Sequence, residues 1–189
     1  MITPTNITNY NRTQAELEEF LMFAIIVAGK TAKTQAEKLN QFLASAKVCE
    51  ISPFEWIEKL IARSHDCGLM DCMKHYKLGQ YNRLDKAFKG ILQFKGKLDS
   101  VTLDELESIE GIGPKTARFF ILHSRPDQQV ACLDTHILKW MGSKGHKVPK
   151  TTPSKKKYKQ IESDFLHECH KAGKKVADMD LEIWKSYSK

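Results

Sequence analysis

The stretch Leu106–Met141, LESIEGIGPKTARFFILHSRPDQQVACLDTHILKWM, constrains the fold of this chain more than any other. Two helical segments, Leu103–Ile109 and Pro114 to about His123, are joined by a tight turn at Gly111-Ile112-Gly113. The two glycines can take the positive φ that so short a reversal needs. Lacking Cβ atoms, they also let backbone N–H groups approach another chain closely. Pro114 suits the first position of the second helix, where its missing N–H leaves nothing unsatisfied. Exposed amides ahead of a helix start make an anion site, and the predicted anion is phosphate.

This is the pattern of a helix-hairpin-helix, a module that holds a nucleic-acid backbone without reading its sequence. Alone it is shared with ligases, polymerases and junction binders that do no chemistry through it. The second half of the stretch narrows the reading. Val130-Ala131-Cys132-Leu133 is an extended apolar run that delivers Asp134 to the start of another helix, Thr135–Met141.

The rest of the chain reads as helix, and no segment alternates as a strand would. Thr13 with Glu16 forms a capping box for a first helix running to about Ala28. Leu17, Phe20, Leu21, Ala24, Ile25 and Ala28 keep helical spacing, and Phe20–Ala28 is apolar enough to be buried on most sides. A second helix is predicted over Thr34–Ala44, with Ala36, Leu39, Phe42 and Leu43 inward. Ser52, Pro53 and Glu55 start a third, which Gly68 is expected to end. A short helix to Lys77 stops at Gly79. Tyr81–Phe94 has one apolar face of Leu84, Ala87, Phe88, Ile91 and Leu92. Thr102 and Glu105 cap the first hairpin helix. Thr152-Pro153 opens a helix reaching about Ala172, and Ala177–Trp184 belongs to a last one, with Trp184 packing in the core.

With 189 residues the chain can bury a genuine core in one or two lobes. Its net charge of +7 suits a polyanionic partner. No charged start precedes an apolar stretch at Met1–Arg12, so no secretion signal is expected and the reading is cytoplasmic. Phe20–Ala28 is shorter than the roughly 20 residues that cross a bilayer. Five scattered cysteines point to a reducing compartment rather than a disulfide framework. Cys67 and Cys72 with His65 and His75 could be drawn as a metal site. Small buried cysteines near a helix end are commoner, and no metal is expected.

Lys115 and Asp134 match, in residue type and spacing, a lysine at the turn followed by an aspartate in a (V/L)DTH-type motif. Here the chain resembles the HhH-GPD superfamily of DNA base-excision glycosylases, most closely its endonuclease III-like members. Leu78-Gly-Gln-Tyr-Asn82 and Gly96–Leu106 follow the same order upstream of the hairpin, so the resemblance covers about residue 15 to the end.

The resemblance implies an all-α, two-lobed fold. A central helical barrel, 30–127, would carry the hairpin at about 103–123. A second lobe would join both chain ends, 1–29 with 128–189. The DNA cleft would lie between the lobes, with the lysine and the aspartate facing each other across it. Only Cys169 lies beyond Cys132, so the four-cysteine iron–sulfur loop of many members cannot form. No cofactor is expected, although the hairpin leaves room for a monovalent cation. The implied partner is double-stranded DNA, bound by a monomer.

The implied activity is a base-excision repair glycosylase with apurinic/apyrimidinic (AP) lyase activity. Base removal builds positive charge on the sugar, which the Asp134 carboxylate would stabilise. Its plainer role is an N-cap worth about 1 kcal/mol. Lys115 would attack C1′ and form a Schiff base; its plainer role is a phosphate contact. Backbone contacts would come from Gly111, Ile112, Gly113 and Thr116. Lys139 stands where an arginine is common. From Lys139 to Lys159 there are eight lysines and no acid, and Lys144, Lys147 and Lys150 are expected at phosphates, against the plainer reading of a solvated loop. The family's polar wedge, frequently glutamine, falls at Ala28-Gly29-Lys30-Thr31, making Lys30 the candidate. His136 is expected to brace the motif. Two alternatives stay open: a monofunctional glycosylase or base-modification enzyme on the same fold, and a non-catalytic DNA-binding module.

Overall fold

Where the chain has local signals for helix starts, helices form. In the computed structural model, which describes residues 2–63, 68–151 and 153–187, a 3-10 turn, Pro4–Asn6, precedes eleven α-helices and no strand among those residues. They are α1 Gln14–Ile26, α2 Ala32–Phe42, α3 Ala44–Val48, α4 Pro53–Ala62, α5 Leu69–His75, α6 Tyr81–Gln93, α7 Leu103–Ser108, α8 Pro114–Ser124, α9 Thr135–Ser143, α10 Lys155–Lys171 and α11 Val176–Tyr187. All three predicted capping boxes, Thr13/Glu16, Ser52/Glu55 and Thr102/Glu105, close in both directions.

Contacts divide the chain into two compact units. Unit 1 comprises Met1–Ile7 and Asn11–Gly113, and unit 2 comprises Thr8–Tyr10 and Pro114–Lys189. This division differs from the one read from sequence: α1 lies with unit 1, and α8 lies with unit 2.

In unit 1, α1 packs against α2, α4 and α6. Every residue from Phe20 to Ile26 is buried, so α1 has no solvent face over two turns. Even Glu18 is enclosed, its carboxylate accepting the Phe54 amide at the start of α4 (3.1 Å). Leu84, Ala87, Phe88 and Ile91 of α6 are buried as their spacing requires. Truncating one such Leu or Ile to Ala costs about 2–5 kcal/mol.

Two helix boundaries are corrected. The single helix predicted over Thr34–Ala44 is broken at Leu43, which leaves helical geometry (φ −91°, ψ 0°) while its side chain stays fully buried. Gly68 does not end α4, which stops at Ala62; it is the N-cap of α5. A Cβ on Gly68 would lie 2.8 Å from the Arg63 carbonyl. His65, Cys67 and Thr152 lie outside the described residues. Among the rest, no cluster of His, Cys, Asp and Glu is placed to hold a metal ion, and no helix is long and apolar enough to cross a membrane.

In unit 2, α11 packs on α8, α9 and α10 around Leu122, Leu133, Ile137, Met141, Phe165 and Ile183. Thr8–Tyr10 joins this unit through His123. The Asn9 amide donates to the His123 carbonyl (3.1 Å), and Thr8 Oγ1 shares a hydrogen bond with its Nδ1 (2.8 Å). His123 Nε2 meets Asp180 Oδ2 at 3.1 Å on α11.

Candidate active site

The hairpin turn is shaped by α6. Gly111 takes φ +92°, and a Cβ there would stand 2.8 Å from the Arg83 carbonyl and 3.0 Å from Ala87 Cβ. Both observations require glycine. Gly113 corrects the expectation for its partner, because it has no positive φ and a Cβ would meet nothing within 4 Å. Its missing side chain leaves open surface at the start of α8.

Arg83 ties the turn down. Nη1 donates to the Gly111 carbonyl (3.0 Å), Nη2 to the Ile25 carbonyl at the end of α1 (2.8 Å), and Nε to Gln80 Oε1 (2.7 Å). Ile112 is buried, and its amide donates to the Ile109 carbonyl (3.0 Å), so it is not one of the exposed donors.

Lys30 is half-buried. Its ammonium donates to the Leu78 carbonyl and lies against Gly79. Burial, then the charges of Arg83 and Lys38, pull its pKa down to about 8. Gln80 next to it is exposed and left-handed (φ 52°).

Lys115 and Asp134 both belong to unit 2. Lys115 sits in the first turn of α8, half-buried, with Nζ 5.3 Å from the Phe119 ring centre; it makes no ion pair among the described residues. Asp134 arrives through two successive three-residue turns, in which the Leu133 amide meets the Ala131 carbonyl (3.1 Å) and the Asp134 amide meets the Cys132 carbonyl (2.6 Å). Its Oδ1 then caps α9, accepting the His136 and Ile137 amides at 2.8 Å each. Both cap bonds use Oδ1, and among the described residues Oδ2 has no hydrogen bond.

Burial pushes the Asp134 carboxyl above the usual carboxylate range. The Ile137 amide and the Lys115 ammonium oppose that rise, and Asp180 adds to it. Cys132, buried beside them, has its thiol pushed well up by burial and stays neutral. His136 contacts Asp134 through its amide. Its ring lies 6.4 Å from that of Tyr187, and its Nδ1 is buried without a partner among the described residues.

Thr116 is buried, so only its backbone N–H, one of the first-turn donors of α8, is placed for an anion. Lys139, Lys144, Lys147 and Lys150 are exposed, Lys144 with Nζ 5.5 Å from the Trp140 ring centre. Lys155, Lys156, Lys157 and Lys159 continue the tract along exposed positions of α10. Trp184 is half-buried on α11.

No family model matches the chain. Two solved structures share its fold. One is the 8-oxoguanine glycosylase/lyase of Methanocaldococcus jannaschii in complex with a 15mer DNA containing 8-oxoguanine. It has a TM-score of 0.68 and 22% identity, covering 94% of this chain and 83% of that one. The other is the 8-oxoguanine DNA glycosylase of the same organism, with a TM-score of 0.68 and 20% identity over 97% and 84% of the two chains. This chain thus has an all-helical fold also found in DNA glycosylases.

Proposed function

We propose that this protein is a DNA glycosylase with AP lyase activity, acting as a monomer on a damaged base in double-stranded DNA. The observation that carries the reading is the Lys115–Asp134 pair. A half-buried ammonium acts electrostatically on a half-buried carboxyl of the same unit, and that carboxyl spends only one oxygen on its helix cap. The fold shared with two 8-oxoguanine glycosylases supports the same reading and makes 8-oxoguanine the first base to test.

The chemistry follows from these positions. The target base must leave the stack before the pair can reach its sugar. Lys115 gives its ammonium proton to solvent and attacks C1′ with the freed nitrogen lone pair, while the C1′–N bond electrons leave with the base, which takes up a proton. Asp134, ionised and held by the α9 amides, offsets the positive charge that builds on the sugar. The amine then passes a proton to O4′ as the C1′–O4′ bond opens, leaving a Schiff base on Lys115. Loss of a C2′ proton expels the 3′ phosphate and cuts the strand.

Gly113, the first-turn amides of α8 and the exposed lysines Lys139, Lys144, Lys147 and Lys150 supply the phosphate contacts. Incubation with a duplex carrying one 8-oxoguanine should release that base. Borohydride should trap the protein on an abasic-site duplex. Base release without trapping leaves a monofunctional glycosylase, and neither result leaves a binding module.

A further inference from the structure

Among the described residues the Ala131–Leu133 segment pairs with no strand, yet it sets the position of Asp134. Its remaining backbone hydrogen bonds go to two side chains of α10. Tyr158 Oη donates to the Ala131 carbonyl (2.8 Å) and accepts from the Leu133 amide (2.9 Å). Glu162, one turn along α10, accepts the Ala131 amide on Oε1 (2.8 Å). The same oxygen accepts from Arg118 Nε (2.7 Å), while Arg118 Nη2 reaches Oε2 (3.4 Å). The guanidinium lies 4.6 Å from the Tyr158 ring centre. Arg118 follows Lys115 by one turn of α8 and also donates to the Pro114 carbonyl (3.3 Å). Tyr158 is 1% exposed and Arg118 6%.

We infer that Arg118, Glu162 and Tyr158 are positioning residues that fix the Lys115 turn of α8 against the segment carrying Asp134. This rests on the glycosylase/lyase reading of that pair. A buried ion pair is a poor stabilising device, since well-packed apolar side chains often do as well. What a two-point guanidinium–carboxylate contact supplies is direction. Here it joins the helix of the nucleophile to the backbone three residues before the catalytic carboxylate. Tyr158 then locks that backbone at both a donor and an acceptor. Displacement of about 1 Å between reacting groups can cost about 10²-fold in rate.

Two variants separate positioning from packing. Tyr158→Phe keeps the ring and removes both hydrogen bonds. Glu162→Gln keeps an acceptor for Ala131 and removes the charge facing Arg118. Borohydride trapping on an abasic-site duplex, under single-turnover conditions, gives an amplitude that counts competent protein and a rate constant that reports geometry. Tyr158→Phe should lower the rate constant roughly 10- to 100-fold, and Glu162→Gln by less. Duplex affinity should hold, because the phosphate contacts are untouched.

The acid limb of the pH–rate profile should also move down in Tyr158→Phe, as water reaches Asp134 among its charged neighbours Lys115, His136 and Asp180. Glu162→Gln carries the test if Tyr158→Phe does not fold. Reduced amplitude with wild-type rate constants and an unmoved acid limb means packing alone, and overturns the proposal. Wild-type rate constants and amplitudes in both variants overturn it too. A wild-type protein that does not trap overturns the glycosylase/lyase reading, and the positioning role falls with it.

Discussion

Arg83 donates to the Gly111 carbonyl at 3.0 Å, while its own carbonyl stands where a Gly111 side chain would go. The turn is therefore fixed from inside unit 1, whereas Gly113 two residues later is open. Gly111→Ala should lose about 1–3 kcal/mol of stability, from a strained positive φ and a backbone clash. Gly113→Ala should stay within about 0.5 kcal/mol of wild type and yet weaken duplex binding, because its Cβ would stand where a phosphate backbone must approach. Thermal unfolding and duplex titration of both variants check this. If Gly113→Ala binds duplex as tightly as wild type, the turn does not grip DNA.

Lys115→Gln should abolish the borohydride-trapped complex and leave duplex affinity nearly intact. Lys115 makes no ion pair among the described residues and packs its ammonium over Phe119, so its loss should cost less than about 1 kcal/mol. Trapping at the wild-type level would assign the nucleophile to another amine.

Asp134→Asn separates the cap from the charge. Asparagine caps a helix as well as aspartate does, so α9 should persist. Base release should fall by about 10²-fold or more once the charge opposing the sugar cation is gone. The linkage has a definite sign. Burial raises the folded pKa of Asp134 above its unfolded value near 4. Folded protein therefore binds more protons than unfolded protein between those two values, and stability falls as pH rises through that window. Above it, ionised Asp134 is a net cost. The Asn variant should be at least as stable as wild type at pH 7, and wild-type base release should fail on the acid side at a pH above about 4. A variant whose activity falls only with its folded fraction would reduce Asp134 to a cap.

The capping boxes, the α6 face and the Asp134 cap were legible in sequence because each is set within one or two helical turns. Leu43 was misread because no glycine or proline marks its break; only the burial of its side chain does. Gly68 marked a boundary correctly but on the wrong side, as N-cap of α5 rather than end of α4. Gly113 resembles Gly111 in sequence, and only the proximity of α6 distinguishes their backbones. The Arg118–Glu162 and Arg83–Gly111 contacts left no local trace. They join residues far apart in the chain, and periodicity carries no information about such pairs.

Under the proposed function, the exposed lysines between α9 and α10 are expected to hold the phosphates of a duplex. Each lysine that neutralises a phosphate contributes about 0.9 to the slope of log affinity against log salt. Lys144, Lys147 and Lys150 are all exposed and lie outside the core of unit 2, so replacing them with glutamine should leave folding intact. The triple variant should flatten the slope by up to about 2.7 and weaken damaged and undamaged duplex alike. Contacts to phosphates act this way because they position DNA without inspecting the base. Preference for a lesion should survive at low salt, where Gly113 and the α8 amides still hold the backbone. A slope unchanged from wild type would make this tract a solvated loop. Loss of lesion preference with an intact slope would place these lysines at the base instead of the backbone.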